Sequence, residues 1–249
     1  MKYVFAGDRE ISVDILKFII DKGYKPSALF ISDANRNSHG DALVSLSGLD
    51  KEFIFEGNKF KNSLQLLEGM EVDYIFGIHF PYIIPSEFLQ LPQVGFLNLH
   101  PAYLPFNKGW HTPSWAIIDG TKYGATLHFM SENLDEGDII HQKELLIAPD
   151  DTANTLYAKA LELEKEVFYE AFPNLLSLEP KSMKQKGEGT SHLKKDLEKI
   201  QEIDLDKNYT GKEIINLLRG LTTNNIQEAA YFTHENKKYY MQILIEKEK

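Results

Sequence analysis

The sequence predicts an α/β fold: a Rossmann-like, mostly parallel sheet with helices on both faces, plus a small C-terminal α+β appendage. Three observations predict it. Short apolar runs alternate with helix-period segments through the first half of the chain, the pattern of successive βα units. Two of those runs, Asp73–Ile78 (DYIFGI) and Phe96–Leu99 (FLNL), are apolar enough to be central strands. A polar stretch with one Pro and two Gly, Glu179–Ser191 (EPKSMKQKGEGTS), reads as a boundary or exposed hairpin and sets off a remainder with a helix and two strands of its own. Residues 1–178 are therefore expected to form the main α/β domain and 179–249 a small α+β subdomain.

The elements follow in order. Residues 2–6 (KYVFA) are a first strand, and a helix is expected over 10–22, where Ile11, Ile15, Phe18 and Ile19 have helical spacing and Gly23 is a stop. Ala28–Ile31 is a second strand, 41–48 a short helix, Phe53–Phe55 a third strand and 62–68 a helix. After the two central strands come an antiparallel pair at 123–131 and 138–147 and a long helix at 152–175, which Asp151 and Thr152 can cap. The remainder has a helix at 210–219 and strands at 229–233 and 238–245, turned at His234–Asn236. Ligands in open α/β sheets bind at the carboxyl ends of the strands.

Composition narrows the chemistry. The chain has no cysteine, which excludes disulfides, thiolate nucleophiles and cysteine-bound metals, and suits a reducing compartment. No apolar run approaches the roughly 20 residues of a membrane helix, and the N-terminus reads as a strand, so a cytoplasmic location and no membrane partner are expected. Against 27 basic residues stand 37 acidic ones, a net charge of −10, which argues against a nucleic-acid partner. The first βα turn holds the single glycine Gly7, so the dinucleotide fingerprint is absent, as is a Walker lysine. No metal is expected: His128 and His141 lack the spacing of a zinc site.

The most informative stretch runs from Gly95 to Gly137. Asn98 and His100 are two positions apart at the end of a strand, so they share a face at the mouth of the sheet, and Pro101 stops the strand. Leu134–Asp138 is a tight acidic loop between two strands. On residues alone, this is a polar pair and an acidic turn.

The blocks N-L-H-P-A-Y-L-P from Asn98, G-W-H-T-P from Gly109, G-A-T-L-H-F-M from Gly124 and L-D-E-G-D-I-I from Leu134 resemble the folate-dependent formyltransferases. That family includes glycinamide ribonucleotide, methionyl-tRNA and nucleotide-sugar N-formyltransferases. The segments Phe106–Trp115, Phe80–Pro85 and Leu218–Thr222 are most similar to the branch acting on dTDP-linked 4-amino- or 3-amino-dideoxy sugars. The resemblance implies formyl transfer from N10-formyltetrahydrofolate to an amino sugar, dTDP-4-amino-4,6-dideoxyglucose foremost, for surface polysaccharide (O-antigen) synthesis. It places the catalytic residues at Asn98, His100 and Asp135. It also assigns Phe80, Tyr82, Ile83, Ile84, Leu134 and Gly137 to the folate, and implies a homodimer.

Acyl transfer to an amine needs a donor for the developing oxyanion and a group to carry a proton from amine to leaving nitrogen. Asn98 supplies an amide N–H, His100 can take up and return a proton, and Asp135 can orient it, favour its charged form or relay the proton. Arg9 and Lys108 are candidates for a diphosphate, beside strand-end loops. Trp110, His111 and Thr112 lie in the substrate-like block, and His128 faces either the site or a helix. Trp115 begins an apolar helical run and is expected in the core. Two alternatives stay open: a methionyl-tRNA formyltransferase, against which the acidic balance and short mixed tail argue, and a non-catalytic nucleotide-sugar-binding protein of the same fold.

Overall fold

A computed structural model describes residues 1–248. In chain order it contains β1 (Tyr3–Gly7), α1 (Glu10–Asp21), β2 (Ala28–Ile31), α2 (Gly40–Ser47), β3 (Ile54–Glu56), α3 (Leu64–Glu68), β4 (Tyr74–Ile78), α4 (Ser86–Leu89) and β5 (Gly95–His100). Then follow β6 (Lys108–Gly109), α5 (Thr112–Asp119), β7 (Tyr123–Phe129), β8 (Ile139–Leu145), α6 (Ala153–Leu175), β9 (Ser191–His192), α7 (Gly211–Gly220), β10 (Ala230–His234) and β11 (Lys237–Met241). The expected α/β class holds: the main sheet has seven strands in the order β3-β2-β1-β4-β5-β7-β8. Neighbours from β3 to β5 are parallel, and β7 runs antiparallel to β5. β1 lies between β2 and β4, so the strand order reverses there and the loops after β1 and β4 leave the sheet side by side.

The chain forms two compact units that interleave along the sequence. One comprises Met1–His100, Thr126–His141 and Glu164–Gln185; the other Pro101–Ala125, Gln142–Leu163 and the chain from Lys186 on. In the first unit every residue of β1, β2 and β4 is buried, which is why those runs are apolar without alternation. α1 turns Ile11, Ile15, Leu16 and Ile19 inward and ends just before Gly23, whose φ of 93° suits glycine. A cluster of aromatic rings fills the core on one face: Phe60 lies 5.2 Å from Phe30 and 5.3 Å from Phe88 between ring centres.

In the second unit Trp115, Leu197, Ile203, Leu221 and Ala230 form a separate small core. Trp115 is thus a core residue, as its apolar helical run predicts. α7 starts at a capping box: the Glu213 N–H donates to Thr210 Oγ1 at 3.2 Å, and the Thr210 N–H donates to Glu213 Oε2 at 2.7 Å. Arg219 is buried and spends its guanidinium on the Asp151 carbonyl at 2.7 Å, the Ala148 carbonyl at 2.6 Å and Asn216 Oδ1 at 3.0 Å. Its part in the Leu218–Thr222 motif is to bind main chain within this unit.

Three expected elements differ. The helix expected over 62–68 is α only from Leu64; a 3-10 turn over Gly57–Ser63 precedes it. The last strand ends at Met241, four residues early. Glu179–Ser191 forms no hairpin of its own; Met183 instead makes an antiparallel bridge to Ile139. No helix among the described residues is long and apolar enough to cross a membrane.

Candidate active site

The site is built on the carboxyl end of β5. Asn98 and His100 point to one face there, Asn98 half-buried and His100 buried. The antiparallel partner β7 places His128 directly opposite Asn98 and Thr126 opposite His100. Cross-strand residues on one face meet side chain to side chain. Asn98 Nδ2 and His128 Nε2 are accordingly 3.3 Å apart. The loop that follows β7 returns Asp135 to the same place: its Oδ2 is 3.6 Å from His100 Nε2 and its Oδ1 is 3.7 Å from His128 Nε2. The three expected catalytic residues and one more histidine thus form a single cluster.

The protons can be placed on this cluster. His128 is fully enclosed, and burial pushes its pKa down to about 4; the Asp135 carboxylate opposes the shift, His100 adds to it, and the Phe129 carbonyl opposes it. The ring is neutral at pH 7. Its Nδ1 lies 2.8 Å from the Phe129 carbonyl, an acceptor only, so Nδ1 carries the proton and Nε2 offers a lone pair. Asn98 must then donate to Nε2 through its amide nitrogen. That sets the orientation of the Asn98 amide and leaves a second N–H of the same nitrogen for a reacting group.

Asp135 has a φ of 54°, in the left-handed region that a side chain rarely adopts. Gly137 packs so closely on the Phe129 carbonyl that a Cβ there would lie 1.7 Å from its oxygen. Only glycine fits. Gln185, from the polar stretch after α6, donates from its side-chain nitrogen to the Asp135 and Gly137 carbonyls. The sequence contains no periodic signal that marks Gln185, and His128 is legible there only as one face of a strand.

The other residues expected in the first unit are spread over its strand-end loops. Phe80, Tyr82 and Ile84 pack half-buried against the aromatic core, and the Tyr82 hydroxyl donates to Asp33 Oδ2 at 2.8 Å. Ile83 is 88% exposed and Leu134 53% exposed, two apolar side chains turned to solvent beside strand ends. Arg9 is exposed after β1. His79, just after β4, has a φ of 52° and places Nε2 2.9 and 3.0 Å from the two carboxylate oxygens of the fully buried Glu164.

In the second unit Lys108 lies in β6, paired with Ser191. Trp110 is half-exposed, with the Lys194 ammonium 5.2 Å from its ring centre. His111, at the N-terminus of α5, has a φ of 55° and sits 3.8 Å from Glu228. Burial lowers its pKa, Glu228 opposes that, and Lys194 adds to it. Thr112 is buried and its hydroxyl donates to the Pro101 carbonyl at 2.7 Å. Among the described residues, no group of three or more His, Cys, Asp or Glu is arranged to hold a metal ion.

The chain resembles known proteins in sequence and fold. The Formyl transferase family model matches residues 22–172, and the N-formyltransferase dimerization C-terminal domain matches residues 196–247. A dTDP-4-amino-4,6-dideoxyglucose formyltransferase of Mycobacterium tuberculosis is 30% identical over 177 residues, 71% of this chain and 75% of that protein. A methionyl-tRNA formyltransferase of Clostridium tetani is 29% identical over 260 residues, covering 100% of this chain and 82% of that protein. The crystal structure of a 4-N formyltransferase from Francisella tularensis superposes with a TM-score of 0.84 at 27% identity, over 99% of this chain and 98% of that one. The fold is also that of a Helicobacter canadensis N-formyltransferase solved with folinic acid and dTDP-3-aminofucose, at a TM-score of 0.70 and 20% identity over 96% of this chain and 86% of that one. The match across most of the first 172 residues, together with the 30% identical relative, places the chain in a family: it is a member of the formyltransferases.

Proposed function

We propose that this chain transfers a formyl group from N10-formyltetrahydrofolate to the amine of a dTDP-linked amino-dideoxy sugar, dTDP-4-amino-4,6-dideoxyglucose first, for surface polysaccharide (O-antigen) synthesis. Residues 1–178 act as the catalytic domain and 179–249 join two copies. One observation carries the chemistry: Asn98, His100, His128 and Asp135 converge at one strand mouth, with the Asn98 amide oriented by a neutral histidine.

The folate supplies the formyl group. Apolar side chains beside the strand ends suit its ring system: Phe80 and Tyr82 are half-buried against the aromatic core, and Ile83 and Leu134 are exposed apolar groups that a ligand would cover. The chain's residues do the rest. The free N–H of Asn98 holds the negative charge that builds on the formyl oxygen as the amine attacks, the largest electrostatic contribution in such sites. His100 accepts the proton that the amine gives up and returns it to the departing nitrogen. Asp135 orients His100 and stabilises its charged form. His128 takes no part in proton transfer, because burial keeps it neutral; it holds Asn98.

The 4-amino acceptor is supported by the Mycobacterium relative and the Francisella structure, which both act at that nitrogen by their names. The Clostridium relative favours a tRNA acceptor. The charge of −10 weighs against it, since a tRNA-binding surface must neutralise phosphates. Arg9, Lys108, Trp110, His111 and Thr112 are proposed to meet the nucleotide sugar.

His100→Ala and Asp135→Ala are each expected to cut turnover at least about 10²-fold; near-normal rates in both would sink the catalytic assignment. Assayed with formyl-folate against a panel of dTDP-linked 3- and 4-amino sugars, the enzyme should prefer a 4-amino sugar. Initiator tRNA should be bound weakly by filter assay. A 3-amino preference, or tight and salt-sensitive tRNA binding, would overturn the acceptor.

The depressed His128 pKa sets a pH window. The unfolded ring takes up its proton near pH 6.5 and the folded one near 4, so the unfolded state binds more protons in between. Stability is therefore full above about pH 6.5 and falls as pH drops toward 4. His128→Gln should flatten that fall in urea unfolding; a His128 ring signal titrating at its ordinary value by NMR would contradict the neutral assignment. For the dimer, sedimentation should give twice the 28.5 kDa chain mass at micromolar concentration, and a monomer there would reject it.

A further inference from the structure

We propose that Gln185 is a positioning residue for the formyl transfer, holding the main chain around Asp135 so that its carboxylate meets both imidazoles; this rests on the catalytic reading of Asp135 given above. Gln185 Nε2 donates to the Asp135 carbonyl at 2.7 Å and to the Gly137 carbonyl at 2.9 Å. A primary amide nitrogen has two protons, and both go to this loop. The other end of the amide, Oε1, is buried without a hydrogen bond, so the fold uses Gln185 for its donors. Two residues earlier, Met183 exchanges both main-chain hydrogen bonds with Ile139, each at 2.8 Å. Residues 183–185 thus run alongside 135–139 as a brace, through four hydrogen bonds.

The loop needs such a brace. Asp135 sits at a φ of 54°, uphill for a side-chain-bearing residue, and would relax toward negative φ if released. Gly137 is pressed on the Phe129 carbonyl, so the loop cannot settle inward. It can only swing outward, which would carry the carboxylate away from His100 and His128. The two carbonyls that Gln185 holds are those on either side of that swing. Strain of this kind persists at functional sites only when the surroundings over-determine it.

The test pairs Gln185→Glu, which keeps the size and removes the donors, with Gln185→Met, which keeps the length without polarity. Both should lower kcat by about 10- to 10²-fold, the scale of a small misplacement in an active site, and leave KM for the amino sugar close to wild type. Hydrogen–deuterium exchange over residues 131–140 should speed up in both, with the unfolding midpoint little changed. In an Asp135→Ala background Gln185→Met should cost nothing further. Wild-type kcat in both variants, unchanged exchange in that segment, or a full additional loss in the Asp135→Ala background would overturn the proposal. So would loss of the folded state in both variants, which would make Gln185 a residue of the fold. If Asp135→Ala alone left the rate intact, the catalytic reading would fail, and the exchange measurement would still decide whether Gln185 braces the loop.

Discussion

The site depends on one ladder: the antiparallel pairing of β7 with β5. Leu97 and Leu99 from β5 and Leu127 from β7 are buried on one side of this ladder, opposite Phe129, Leu127 and Leu99 respectively. Those apolar contacts set the register, because a slip of one residue would turn every side chain to the wrong face. On the other face the same register brings His128 against Asn98. The polar centre is therefore fixed by its apolar back. The parallel strands β1 and β4 bring their loops to the same edge, but the chain reversal at β7 is what supplies a second polar strand.

Burial then fixes the state of one histidine beside Asp135. His100 and His128 both face Asp135, at 3.6 and 3.7 Å. His128 is wholly enclosed, and the cost of desolvating a charge outweighs the attraction of the carboxylate, so it stays neutral. A neutral ring that donates on one side and accepts on the other is suited to hold an amide in one orientation. A ring that changed charge during the reaction would turn from acceptor to donor and release Asn98. One carboxylate thus stands beside two histidines, and one of them is held neutral by its surroundings.

Much of the sheet was legible from local pattern. Asn98 and His100 share a face by the two-residue strand period, and the apolar runs of β1, β2 and β4 mark buried strands. The helices α1 and α7 have their stop and start signals in Gly23 and in Thr210 with Glu213. What local pattern does not contain is register between distant segments. His128 alternates with Leu127 and Phe129 and so has a definite face, yet nothing near it says that Asn98 lies across from it. The short α3 has another cause: Gly57, at a φ of 57°, opens a 3-10 turn where helical spacing alone suggests more helix. Gln185 leaves no trace at all, because a long polar side chain bonding to main-chain carbonyls has no periodicity.

The position of Gln185 also bears on what a boundary means in this chain. Glu179–Ser191 has the composition of a linker: lysines, a proline, glycines and little apolar area. Linkers of that kind usually tolerate change because few contacts cross them. Here the contacts are concentrated on alternate residues. Met183 gives its main chain to Ile139 and Gln185 its amide to the Asp135 loop, while Lys184 and Lys186 are exposed. The compact unit that contains the Asn98, His100, His128 and Asp135 cluster extends to Gln185, past the point where composition alone would end a domain. The residues that close the unit are the same ones that hold the Asp135 loop, so the end of the fold and the geometry of the Asp135 cluster rest on the same few hydrogen bonds.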